Sequence, residues 1–251
     1  DIANAAITYA KLQNVSATSL LGRPTSTNIL LQSEDFTTSW VGPATIAQDS
    51  TGPDGVANSA TTFTDTSTLV VNDKKQSLTI PNDSATYTVS VFIKKTAGAT
   101  IEAGVLFYMS GGSNLNTSIC INTNTGAVVK RSSTLTPLSI TSESYLDFWR
   151  VSFTQANDSS GNTSANVWLI PVMCAIGAAT YDQTQVGSNV FYGAQLELST
   201  YPASYIATTT TAVTANGGPG GIEEIGPLAI RTMINVEDGA NNYTHPSAHT
   251  I

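Results

Sequence analysis

Charge is scarce in this sequence. Charged side chains make up 11% of the 251 residues, against roughly 25% in an ordinary soluble domain. The ten Lys and Arg are scattered and the formal net charge is −8. Neutralising phosphates takes clustered cations, so nucleic acid is excluded as a partner. The short basic pairs Lys94-Lys95 and Lys130-Arg131 read as charges that blunt strand edges. Histidine is rarer still. His245 and His249 both fall in the polar tail, so no Ser-His-Asp or Cys-His set can be assembled within the middle of the chain. Their i,i+4 spacing has no third ligand beside it, and Pro246 opposes a helix there. Only two cysteines occur, Cys120 and Cys174, each inside an apolar run. They read as buried free thiols, with a single disulfide as the alternative. No apolar run reaches the roughly 18 residues of a membrane span, and Asp1-Ile2-Ala3-Asn4 lacks the basic character of a signal peptide start.

Ser, Thr, Asn and Gly fill the gap left by charge, and hydrophobic residues make up 41%, enough for a core. The clearest strand covers 85–94, with Tyr87, Val89, Val91 and Ile93 on one face and Phe92 as the exception on the other. Further strands are expected over 145–155, 165–173 and 189–198, and shorter ones near 28–32, 77–80, 103–109, 117–122 and 127–130. Turn signals separate them, among them Gly52-Pro53-Asp54-Gly55, Gly111-Gly112-Ser113-Asn114 and Asn124-Thr125-Gly126. Many short strands without crossover helices point to an all-β fold, a jelly roll or β-sandwich. It spans 27–208, between short segments with little regular structure or short helices: 1–26, whose weak apolar stripe cannot bury itself alone, and a Gly-rich linker and tail, 209–251.

The flanking segments resemble the stalks of tailed-phage fibres. Residues 7–18 followed by Leu20-Leu21-Gly22-Arg23 are similar to a recurring fibre segment. Its usual continuation, a Gly-rich turn and Ile222-Glu223-Glu224-Ile225, arrives nearly 200 residues later. Residues 236–246, through Asn241-Asn242-Tyr243, resemble another fibre element. The middle therefore reads as a domain inserted into a continuous stalk. It carries its own resemblance. Asn28-Ile29-Leu30-Leu31 with Trp40, Gly52-Pro53-Asp54-Gly55, Phe148-Trp149-Arg150-Val151-Ser152, Gly193-Ala194-Gln195-Leu196-Glu197 and residues 201–206 stand in the order seen in a phage particle domain similar to jelly-roll carbohydrate-binding modules. Residues 98–143 depart most from that pattern.

That resemblance implies a sugar-binding role without catalysis. Two positioned acids, as glycoside hydrolysis needs, do not stand out among the carboxylates, most of which sit in turn-like contexts. Trp149 and Trp168 alternate with apolar neighbours and read as core. The residues expected to face ligand are Trp40 in the opening loop, Tyr108 and Asn114 around the Gly111-Gly112 turn, and Tyr181, Asp182 and Gln183, with Asn116 and Gln185 adding hydrogen bonds. The resemblance also implies a structural calcium where the first and last strands meet, with Glu34, Asp35 and Glu197 at the matching positions; no other cofactor is required. The expectation is a homotrimeric fibre or spike subunit of a virion, on tail or head, assembled in the host cytoplasm beside other virion proteins. It would contact host surface polysaccharide and not insert into membrane. A ligand-free spacer and a polysaccharide depolymerase are the alternatives.

Overall fold

The computed structural model describes residues 25–215, Ala179 excepted. Most of the two expected stalk segments, and with them His245 and His249, lie outside the described residues. Residues Ser26–Ala215 form one compact unit. Its strands are β1 Ser26–Asn28, β2 Thr45–Ser50, β3 Ala60–Asp65, β4 Lys74–Thr79, β5 Thr86–Lys94, β6 Ile101–Ser110, β7 Leu115–Ile121, β8 Val128–Ser133, β9 Ile140–Tyr145, β10 Phe148–Ala156, β11 Ser164–Ala175, β12 Gly187–Leu198 and β13 Val213–Ala215, with no helix among the described residues.

They form a β-sandwich. One sheet has six strands in the order β2-β3-β12-β5-β10-β9, the other five in the order β4-β11-β6-β7-β8. The pairings are antiparallel. Period-two alternation builds the core between the sheets. Tyr87, Val89, Val91 and Ile93 of β5 meet Phe107 and Met109 of β6, Ile119 of β7 and Val167 and Leu169 of β11. Tyr87 and Phe107 join the two sheets with ring centroids 6.1 Å apart.

The exceptional Phe92 has a separate explanation. It points out of the opposite face of the six-stranded sheet, into a second small core with Ala60, Phe148 and Tyr192, against which Tyr205 packs. The chain after β12 folds back over this face. Gln195 accepts the Ile206 N–H at 2.8 Å, Glu197 accepts the Ala203 N–H at 2.9 Å, and Arg150 donates to the Ala203 carbonyl at 2.5 Å. Gly193 lies at a positive φ of 60°, where an added Cβ would come within 3.0 Å of the Tyr205 ring.

The structure differs from the sequence expectation at several points. The expected strand 145–155 is broken at Leu146, in the left-handed region at φ 49°, into β9 and β10. Residues 29–32 leave the ladder after β1. The polar strands β2 and β9 lie at sheet edges, and β3 carries only Phe63 as a large apolar residue. The segment after 208 adds β13, which pairs with β1 so that Ser26 stands opposite Ala215. The two ends of the unit are therefore neighbours.

Candidate functional site

The five-stranded sheet turns one face to the core and the other to a trough of about 630 Å³. Alternation along the strands decides what lines it. In β6, Ala103, Val105, Phe107 and Met109 enter the core, so Glu102, Gly104, Leu106 and Tyr108 face outward. In β7 and β11 the same rule turns out Asn116, Ser118 and Cys120, and Trp168 and Ile170. Register then sets the rungs. Asn166, Tyr108 and Asn116 lie side by side; one step along, Trp168, Leu106, Ser118 and Ser132 do the same. Tyr108, Leu106, Trp168 and Ile170 form an apolar and aromatic floor, and Asn116, Ser118, Ser132 and Arg131 give it hydrogen-bonding edges. Val71, Asp73, Thr180 and Tyr181 close the other side. Gly104 is needed here because an added Cβ would come within 2.4 Å of Met173.

A buried polar cluster lies at one end of the trough. Arg131 meets Glu102 at 2.5 Å, their side chains only 8% and 5% exposed. Arg131 Nε donates to Cys120 Sγ at 2.8 Å, Nη2 to Cys174 Sγ at 3.1 Å, and Nη1 to the Ala178 carbonyl. Both thiols donate to Glu102, at 2.7 and 3.3 Å. Burial alone would raise the Glu102 pKa, but hydrogen bonds from Cys120, Arg131 and Cys174 outweigh it and hold the carboxyl below the usual range. Burial, then the hydrogen bond to Glu102, pushes Cys174 up to about 11 and Cys120 higher still. Across the trough, burial raises Asp73, partly offset by Lys75. Burial, then Asp65 and Asp73, pushes Tyr181 up to about 12. The Lys75 ammonium lies 5.4 Å from the centre of the Trp168 ring. The Trp168 indole N–H is buried and has no hydrogen-bond partner.

Glu102, Cys120 and Cys174 bring their ligand atoms within 4.8 Å of one another. Arg131 donates to all three of these groups, so the place a cation would take is already filled by the guanidinium. Cys120 and Cys174 are free and buried, as expected. They stand on β7 and β11, which β6 separates. Two strand spacings put the backbones about 9–10 Å apart, beyond disulfide reach.

The structure brings only some of the expected ligand residues to the trough. Tyr108 and Tyr181 line it. Asp182 lies beside Tyr181 but turns inward on its own loop, accepting from Thr184 N–H and hydroxyl at 2.9 and 2.7 Å and from Gln185 at 3.0 Å. Gln183 is exposed outside the lining, and so is Asn114 in the β6–β7 turn. Trp40 is instead a core residue, 3% exposed, edge-on to Phe36 and donating its indole N–H to the Leu31 and Gln32 carbonyls. Trp168 reverses its expectation. It is turned away from the core into the trough, while Trp149 does pack against the core. Arg131, expected as an edge charge, is folded inward. Alternation through 101–110 was the signal that could have revealed the outward face.

The expected calcium ligands do not fit a shared ion. Glu34 accepts from Tyr192 hydroxyl at 2.7 Å. Asp35 accepts from Thr37 N–H and hydroxyl at 2.9 and 2.5 Å. Glu197 accepts from Ser26, and from Gln195 and Ala203 N–H, both at 2.9 Å. Each carboxylate is held by protein donors in its own network, and the three do not converge as a set of metal ligands.

No family model matches the chain, and no curated protein matches it. Among solved structures, the chain is similar to the enzymatically active domain of tailspike protein 4 from bacteriophage CBA120, at 7% identity and a TM-score of 0.39. The match covers 67% of this chain and 21% of that one, so this chain spans about a fifth of the tailspike domain's length. The expectation of a chain without enzymatic activity is not upheld: the neighbour found is described as an enzymatically active domain. The likeness carries neither an activity nor a substrate over to this chain.

Proposed function

We propose that the chain is a subunit of a phage fibre or tailspike and that the trough on the five-stranded sheet binds host surface glycan. The observation that carries this reading is the trough itself: an aromatic floor of Tyr108 and Trp168, edged by planar or hydroxyl side chains, Asn116, Arg131, Ser118 and Ser132. Sugars present apolar C–H faces and a ring of hydroxyls, and this arrangement answers both. The neighbouring ends of the unit, Ser26 and Ala215, agree with a domain inserted into a stalk. Self-association through that stalk, as a homotrimer, would supply several weak sites at once and raise avidity. The test is an array of bacterial surface polysaccharides probed with the intact chain, together with its solution mass. Binding that Trp168→Ala removes and the distant Val56→Ala leaves is the expected result. Silence across the array sinks the reading.

A second reading, depolymerisation of the bound glycan, draws support from Asp73, a half-buried acid in the trough whose pKa is raised by burial. Such an acid is suited to protonating a leaving oxygen. Reducing ends released by the intact chain and lost in Asp73→Asn would establish it; their absence with a polysaccharide the chain binds would dismiss it.

A further inference from the structure

We propose that the trough selects acidic glycans, with Arg131 taking a carboxylate of the bound sugar. The inference rests on the glycan reading above and names the substrate class of that same site. Arg131 has five N–H groups in a fixed fork. Four are committed: Nε–H to Cys120, one on Nη1 to Ala178, and two on Nη2 to Glu102 and Cys174. The fifth, on Nη1, has no acceptor among the described residues, although the side chain is only 8% exposed and lines the trough. Trp168 adds a second buried N–H without a partner in the same lining. Buried donors without acceptors are costly, so the ligand that completes this wall brings acceptors.

The formal charges around the trough balance, and it is the guanidinium fork, which pairs most strongly with carboxylates, that favours an anionic acceptor over a neutral hydroxyl. Lys75 stands over the Trp168 ring and Arg131 closes the far end, against Glu102 and Asp73. Glu102 is covered by Arg131, and Asp73 lies at the opposite side on the approach to β4. A guanidinium gripped from behind by a carboxylate and two thiols is pre-organised, so a ligand carboxylate meets it without side-chain ordering. Glu102, Cys120 and Cys174 are positioning residues; they hold Arg131 and need not touch sugar.

The experiment is native affinity electrophoresis of the intact chain through gels containing polygalacturonate, alginate or hyaluronate, each beside its carboxyl-reduced neutral form. At least one acidic polymer is expected to retard the chain tenfold more strongly than its reduced form, and added salt is expected to weaken the retardation. Arg131→Gln removes that preference but strands Glu102 and risks unfolding. The double variant Arg131→Met with Glu102→Leu removes the pair together, which preserves folding better, and is expected to lose the acidic preference while circular dichroism stays unchanged. Trp168→Phe keeps the ring and deletes the donor, and is expected to weaken binding severalfold. Equal retardation by acidic and reduced polymers overturns the acidic preference and leaves glycan binding standing. A folded double variant that retains the preference overturns the role of Arg131. No retardation by any polymer, with silence on the array, removes the glycan reading itself.

Discussion

Asn28 and Leu196 are locked together across the start and end of the sandwich: the Asn28 side-chain carbonyl accepts the Leu196 N–H at 3.2 Å. The same oxygen accepts the Leu30 N–H at 3.2 Å, and the amide nitrogen donates to Ala194 and Ile206 carbonyls at 3.1 and 2.8 Å. Asn28 is fully buried, so all its polar capacity is met by backbone that would otherwise be stranded.

Asn28→Ala is therefore expected to destabilise the unit by about 3 kcal/mol, since backbone donors and acceptors would lose their partner in the interior. Urea unfolding of the intact chain measures it. A change below about 0.5 kcal/mol would mean that water replaces the amide.

The two tryptophans should part company. Trp40→Ala empties the core and is expected to cost about 3–5 kcal/mol. Trp168→Ala, half-buried on the outer face against Ile170 and Met173, is expected to cost less, about 1–3 kcal/mol, while removing the proposed glycan binding. Paired melting and binding curves test the contrast, and a larger loss of stability for Trp168→Ala would contradict its placement.

Acid should act through Glu102. Its pKa is lower in the folded chain than in the unfolded one. The stability it contributes is thus complete above the ordinary carboxylate range and lost as pH falls through the depressed folded value. The slope of stability against pH below about pH 4 is expected to shrink in Glu102→Gln. An identical slope in both proteins would assign acid unfolding to other carboxylates.

Chelation is expected to leave Tm unchanged, because Glu34, Asp35 and Glu197 are held by protein donors. A fall of several degrees on adding EDTA, reversed by calcium, would reinstate a shared ion.

Gly126→Ala is expected to destabilise by about 1–3 kcal/mol. Gly126 sits at φ 78°, and an added Cβ would come within 2.7 Å of the Trp149 ring. Thermal melts would show it, and an unchanged Tm would mean that the ring has room to move.

The all-β class and most long strands were legible because alternation is a local signal. β2, β3 and β9 were not, because Thr-rich and polar edge strands carry too few apolar residues to show a period. The segments that resemble a phage particle domain turn out to be architectural. Asn28, Arg150, Gln195 and Glu197 fasten the chain at 203–206 to the sheet. About half of the trough lining comes from the segment that departs from that pattern, through Leu106, Tyr108, Asn116, Ser118, Arg131 and Ser132. Tyr108 and Tyr181 could be picked out as aromatics near turns. Trp168 could not, because alternation in β11 shows two faces and does not say which is wet. Arg131 looked like a surface charge because its partners Glu102, Cys120 and Cys174 come from three other strands.

The β1–β13 ladder has a mechanical corollary. It joins three residue pairs, and its outermost pair, Ser26 with Ala215, holds both ends of the unit. Tension applied between those ends peels this short zipper rung by rung, the weakest loading geometry for antiparallel strands. Past the last rung the load meets Asn28, whose buried bonds to Ala194 and Leu196 anchor β1 to β12, so the peeling stops where the sandwich begins.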